Sequence, residues 1–259
     1  MNTHIQEDII MELEIKRDGL TLRGYQDLPD TEEFDVAIMM HGFIQDCGRA
    51  PEDLMYQVNE KLVSLGIGTV RVDFNGHGKS DGELKDMTVL NELADAHAII
   101  SYVRSIPGVR RIFLYGHSQG GVVASIMAGL YHDVIDRVAL TSAAVTLKDD
   151  AIAGTIMGTN YDPQAVPETI SCMGGKVVCG GFYFRTSQVL PITEWASQYQ
   201  GPVCIMQSKG DAIVNYVAAE RLHAAFPNNE LHLFEGGNHG MRDEVRQTVL
   251  DLIGEFFTR

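Results

Sequence analysis

Gly116-His117-Ser118-Gln119-Gly120 places a serine at the centre of a G-x-S-x-G pentapeptide, directly after the apolar run Ile112 to Tyr115 and before a stretch rich in small residues. That context reads as strand, sharp turn and helix, and glycines two positions before and after the serine let strand and helix pass close together. A serine hydroxyl is a weak nucleophile near neutral pH, so it needs a base beside it and a carboxylate to orient the base. Both lie downstream, in the order serine, acid, histidine. Asp211 follows the apolar run Val203 to Met206, and His239 sits in Gly237-Asn238-His239-Gly240 after the strand-like Leu231 to Phe234. Asp243 is a rival acid because it is close in sequence to His239, but a carboxylate at the start of a helix more often serves the helix dipole.

Acyl transfer through a serine builds up negative charge on the carbonyl oxygen, which two preorganised N–H groups can hold. The residue after the nucleophile, Gln119, supplies one backbone N–H. The loop His41-Gly42-Phe43 after the apolar Val36 to Met40 supplies the other, assigned to Phe43. The remaining histidines have structural readings. His41 and His117 shape these loops, and His77 belongs to the Gly-rich turn Asp73 to Ser80. That turn is no phosphate loop, since Asp73 stands where the first glycine is required. No group of His, Cys and carboxylate has metal-ligand spacing, so neither metal nor cofactor is expected.

The elements that must hold these residues follow from the apolar pattern. Ile9 to Lys16 and Leu20 to Gln26 alternate around Asp18-Gly19, as a half-buried hairpin does. The continuous runs Val36 to Met40, Thr69 to Val72, Ile112 to Tyr115, Val138 to Thr141 and Val203 to Met206 read as strands buried on both faces. Helical stretches lie between them: Pro51 to Leu65, Val89 to Ser105, Gln119 to Tyr131, Ala218 to Phe226 and Glu244 to Phe257. Alternating strands and helices predict an α/β fold with a mostly parallel, doubly wound sheet. Ala143 to Pro191 breaks the rhythm, with Pro163, Pro167, Gly174-Gly175 and Gly180-Gly181. The expected organisation is therefore a core of residues 1–142 and 192–259 with 143–191 inserted as a lid, because long connections in such domains are usually functional.

Composition narrows the partners. The chain has 259 residues and 45% hydrophobic residues, enough to build a substantial core. Its 35 Asp+Glu against 20 Lys+Arg give a formal charge of -15, a surface that repels phosphate backbones and anionic lipid. Neither nucleic acid nor membrane is an expected partner, and no run approaches the ~18 apolar residues of a membrane span. Met1 to Gly19 lacks the apolar core of a signal peptide. Cys47, Cys172, Cys179 and Cys204 form no CxxC pair, so they are read as reduced thiols of a cytoplasmic protein.

With Ser118, Asp211 and His239 in that order, His-Gly-Phe at 41 to 43 and Asp-x-x-Gly-His-Gly-x-Ser at 73 to 80, the chain resembles the α/β-hydrolase superfamily over essentially its whole length. Within it, the chain is similar to bacterial cinnamoyl (feruloyl) esterases. The likeness rests on Gly-His-Ser-Gln-Gly, on Thr146-Leu147-Lys148-Asp149-Asp150 opening the insert, and on Gly180-Gly181-Phe182-Tyr183-Phe184-Arg185 closing it. The resemblance implies that the insert forms a small lid over the serine, with Asp150 and Tyr183 binding the ring hydroxyl of a hydroxycinnamate. The pattern departs at Met157, which stands in the place of a lid glutamine and offers no strong hydrogen bond.

The expected activity is cofactor-free hydrolysis of small aryl or hydroxycinnamoyl esters through an acyl-enzyme on Ser118. Three alternatives stay open at this point. The same fold serves short-chain esterases and monoacylglycerol lipases, it serves acyltransferases, and it serves non-catalytic ligand receptors. The sequence does not exclude peptidase activity, and it leaves homodimerisation open.

Overall fold

A computed structural model describes residues 11–259. Ile9 and Ile10 of the expected hairpin, and the part of the signal-peptide reading that concerns Met1 to Ile10, lie outside the described residues. The chain runs β1 (Met11–Arg17), β2 (Leu20–Asp27), β3 (Phe34–Met40), α1 (Leu54–Ser64), β4 (Gly68–Val72), α2 (Val89–Ser105), β5 (Val109–His117), α3 (Gln119–Leu130) and β6 (Ile135–Thr141). It then passes through α4 (Leu147–Ala153), β7 (Thr155–Ile156), β8 (Thr159–Asn160), β9 (Thr169–Cys172), β10 (Val177–Gly180) and α5 (Gly181–Ser187). It ends with α6 (Ile192–Ala196), β11 (Val203–Ser208), α7 (Val217–Ala225), β12 (Asn229–Phe234) and α8 (Arg246–Thr258).

Eight of these strands form one sheet in the order β1-β2-β4-β3-β5-β6-β11-β12. The hairpin β1–β2 is antiparallel, as is β2 against β4, and every later pair is parallel. Asp18 and Gly19, with φ of 47° and 84°, turn the hairpin, which suits two-residue connections whose twist matches the strands.

The central strands read as unbroken apolar runs because both their faces are covered. Along β3, Val36, Ile38 and Met40 enter one core while Ala37 and Met39 enter the other, and β5 divides the same way between Ile112 and Leu114 and Phe113 and Tyr115. α2, α3 and α7 pack into the first core, α1 and α8 into the second. Chain direction in the parallel strands then carries the ends of β3, β5, β6 and β11 to one edge of the sheet, where ligands of open α/β sheets bind. Segment 143–191 is built from α4, α5 and two separate two-stranded pairs, β7–β8 and β9–β10, outside the main sheet. No helix among the described residues is long and apolar enough to cross a membrane.

Candidate active site

Ser118 stands between β5 and α3 with φ 54° and ψ −120°, a backbone state that non-glycine residues rarely occupy unless the surroundings enforce it. Here they do. Its N–H donates to Thr141 O at 3.0 Å, and its carbonyl accepts from the N–H groups of Gly121 and Ala144 at 3.0 and 3.1 Å. A Cβ on Gly120 would lie 2.1 Å from the Met40 carbonyl oxygen. Glycine there is what lets the end of β3 press against the start of α3.

Ser118 Oγ lies 3.0 Å from His239 Nε2, and His239 Nδ1 lies 2.8 Å from Asp211 Oδ2. The other carboxylate oxygen, Oδ1, accepts from the backbone N–H groups of Ile213 and Val214 at 2.8 and 2.9 Å. Gln207 Nε2 adds a third donor, to Oδ2, at 3.0 Å. Burial opposes ionisation of Asp211, but the hydrogen bond and charge of His239 and the two backbone donors outweigh it and hold the carboxyl below its ordinary pKa. An ionised Asp211 fixes the ring proton on Nδ1 and leaves Nε2 free to accept the Ser118 proton. Asp243 starts a short 3-10 turn and makes no hydrogen bond to His239 among the described residues. The geometry thus brings together Ser118, His239 and Asp211, and leaves Asp243 outside.

The backbone N–H groups of Gln119, first residue of α3, and Phe43, in the loop after β3, have no intramolecular hydrogen bond among the described residues; the first amides of a helix have no partner within it. The Phe43 loop is shaped by Gln45, whose Oε1 accepts from Gly42 N–H at 3.0 Å while its own N–H donates to Gly42 O at 3.1 Å. A cavity of about 650 Å³ opens beside Ser118 and His239. It is lined among others by Phe43, Thr146, Asp150, Met157 and Tyr183. Asp150 accepts the Thr146 hydroxyl at 2.8 Å, and burial raises its pKa. Met157 adds apolar wall.

Tyr183 lines the cavity from α5, and its hydroxyl donates to Gln119 Oε1 at 2.8 Å. Sequence reasoning passed over Glu92 and Gln207, the buried partners of Gln119 and Asp211. Glu92 looks like any acidic residue of a helix first turn. Gln207 lies just beyond the apolar run that marked β11, and only the polar pair Gln207-Ser208 closing that strand hinted at buried hydrogen bonds.

His41 and His117 flank the site and are buried. Burial drives their pKa values from the ordinary 6.5 down to about 4 and about 3, helped for His41 by His77 and for His117 by His239. Both are neutral in the folded protein, and His41 Nε2 accepts from Phe74 N–H at 2.9 Å while Nδ1 pairs with Gly42 O. Depressed folded-state values mean that the unfolded chain binds the extra protons. Stability is therefore fully present above pH 6.5 and drains away as pH falls towards 4. Thermal unfolding should lose roughly 2 kcal/mol per histidine between pH 6.5 and 5, offset in part by buried Glu92, whose raised pKa acts in the opposite direction. Constant stability across that range in a Glu92→Gln variant, where that offset is gone, would show that these rings are not held neutral.

Among the described residues, two clusters have the donor types of a metal site, Asp46-Cys47-Asp73 and Cys204-Glu230-His232. In the first, Arg49 occupies both Asp73 oxygens at 3.0 and 2.6 Å, and burial pushes the Cys47 thiol up to about 12. In the second, burial raises the Cys204 thiol further, and Arg259 holds Glu230 at 2.7 Å. Neither donor set is poised for a cation.

Comparison with known proteins places these features in a lineage. Residues 32–166, more than half of the chain, match the family described as serine aminopeptidase, S33. A monoacylglycerol lipase of Mycolicibacterium smegmatis is 27% identical over 86% of this chain and 87% of its own. A monoglyceride lipase homolog of monkeypox virus is 25% identical over 86% and 88%. Among solved structures, Est1E from Butyrivibrio proteoclasticus with ferulic acid bound superimposes with a TM-score of 0.90 at 29% identity, over 95% of this chain and 98% of that one.

Proposed function

We propose, from the premise that the chain belongs to the serine aminopeptidase, S33, family and has the α/β-hydrolase fold, that it is a serine ester hydrolase whose acyl pocket takes hydroxycinnamates or similar small aryl acids. The observation that carries this reading is the continuous path Ser118 Oγ, His239, Asp211 opening directly onto the cavity that Asp150 lines. Ser118 Oγ attacks the ester carbonyl while His239 Nε2 takes its proton. The carbonyl oxygen, now negative, is held by the N–H groups of Gln119 and Phe43. Collapse expels the alcohol, which receives the proton from His239, and leaves an ester on Ser118. Water, deprotonated by His239, then releases the carboxylic acid and restores the serine.

Segment 143–191 acts in this reading as the lid that supplies the acyl pocket. Asp150 faces the ring hydroxyl, Met157 packs against the ring, and Tyr183 and Phe43 form an aromatic wall, their rings 5.9 Å apart and inclined by 26°. That Est1E was solved with ferulic acid supports this choice of acyl group. A cytoplasmic location belongs to the same reading, in keeping with four buried free thiols. The monoacylglycerol lipases among the relatives favour a second reading, acylglycerols as substrate.

A substrate panel of methyl ferulate, p-nitrophenyl butyrate, a monoacylglycerol and an aminoacyl amide separates these. Aryl acyl preference is expected; equal or better turnover of the acylglycerol would transfer the lead to the second reading, and cleavage of the amide alone would point to a peptidase. Asp150→Ala sharpens the test. A pocket built to meet a hydroxyl discriminates by leaving polar groups unpaired, so kcat/KM on methyl ferulate should fall by roughly 1 to 3 kcal/mol while p-nitrophenyl butyrate is hydrolysed nearly as before. Equal losses on both would remove Asp150 from substrate recognition.

A further inference from the structure

The two backbone donors assigned to the oxyanion, Phe43 N–H and Gln119 N–H, come from different elements: a loop after β3 and the first turn of α3. One side chain touches both residues. The Tyr183 ring stacks on Phe43, and its hydroxyl donates to Gln119 Oε1 at 2.8 Å. On its other side the Gln119 carboxamide is fixed by Glu92 of α2, with Nε2 lying 2.9 Å from each carboxylate oxygen. All three polar side chains are buried, Tyr183 at 2% exposure, Gln119 at 3% and Glu92 at 1%. The amide can face only one way, since a phenol donor meets its oxygen and a carboxyl acceptor meets its nitrogen.

We infer that Tyr183 is a positioning residue for the oxyanion hole, bracing Phe43 through its ring and Gln119 through its hydroxyl against Glu92, so that the inserted segment acts on the chemical step and not only on substrate choice. This rests on the reading of Ser118 as nucleophile and of the two N–H groups as oxyanion donors. A buried, fully paired side-chain network has one arrangement, and backbone groups attached to it inherit that arrangement. Removing the phenol hydroxyl leaves Gln119 Oε1 without its donor, frees the carboxamide to turn, and loosens the residue whose N–H must meet the developing charge. Donors misplaced by a fraction of an ångström stabilise the transition state less while ground-state binding hardly changes.

The consequence separates this role from contact with the acyl ring. Tyr183→Phe keeps the stack on Phe43, so kcat should fall roughly ten- to a hundred-fold on methyl ferulate and on p-nitrophenyl butyrate alike, with KM little altered. Affinity for an alkyl boronic acid, whose tetrahedral Ser118 adduct places an oxygen in the hole, should fall by the same factor. Gln119→Met keeps the backbone N–H, removes the Tyr183 bond from its other end together with the Glu92 bonds, and is read in the same way with a loss at least as large, also if Tyr183→Phe fails to fold. In the double variant the loss should not exceed that of Gln119→Met alone, because the Tyr183 bond is already gone there. A loss confined to hydroxylated aryl esters, a change in KM alone, unchanged boronate affinity or full additivity would each overturn the inference. Its failure is distinguishable from that of the underlying reading by labelling wild-type protein with a fluorophosphonate: labelling at Ser118 upholds the nucleophile whatever Tyr183 does, and labelling elsewhere sinks both.

Discussion

Ser118→Ala is expected to lower kcat by roughly 10⁶, to the level of residual binding and oxyanion effects, as removal of the nucleophile does in serine hydrolases that work through a histidine. The fold should survive. Ser118 Oγ makes its one hydrogen bond among the described residues to His239, and the strained turn is held by backbone bonds to Thr141, Gly121 and Ala144 that alanine retains. Thermal unfolding of the variant should therefore stay within a few degrees of wild type. Hydrolysis of p-nitrophenyl butyrate measures the loss, and its retention at more than a few per cent would exclude Ser118 as nucleophile. A collapse in stability with it would mean instead that the turn depends on the serine side chain.

The core was legible because its strands are buried on both faces, so their sequence is apolar without alternation. The edges were not, where polar or small residues stay in the sheet. β5 continues through Gly116 and His117 because both pair in register with Leu140 and Thr141 of β6. β11 continues through Gln207 and Ser208, polar yet buried, because β12 covers them and their side chains find acceptors at Asp211 and Gly236. α1 begins later than Pro51, since Ala50 to Asp53 form a turn closed by Asp53 N–H on Ala50 O. Segment 143–191 stood out by its broken rhythm, but its internal structure could not be drawn. Its strands are two to four residues long, too short for periodicity to register, and their pairing is decided by contacts with the rest of the molecule. The serine, histidine and acid that lie together in the structure had been singled out through order and local context. Glu92 could not be found that way, since its partner Gln119 is 27 positions away on another helix and no local pattern links them.

Asp211→Asn is expected to lower kcat by about 10⁴ with KM nearly unchanged, the scale seen when a serine hydrolase loses the carboxylate behind its histidine. The reason lies in how the carboxyl is held. Oδ1 accepts two backbone N–H groups, from Ile213 and Val214, so an amide at this position must keep its oxygen there. Its NH₂ is then forced into the place of Oδ2, facing His239 Nδ1 and the Nε2 donor of Gln207. To accept from that NH₂, His239 must carry its proton on Nε2, which turns a donor towards Ser118 Oγ and removes the general base. Flipping the amide would only exchange one clash of donors for two. Asp243→Asn should leave kcat within about two-fold, as a surface change away from this network does. If the Asp243 variant instead lost the larger part of the activity, the acid behind His239 would be Asp243, and the path through Asp211 would be structural.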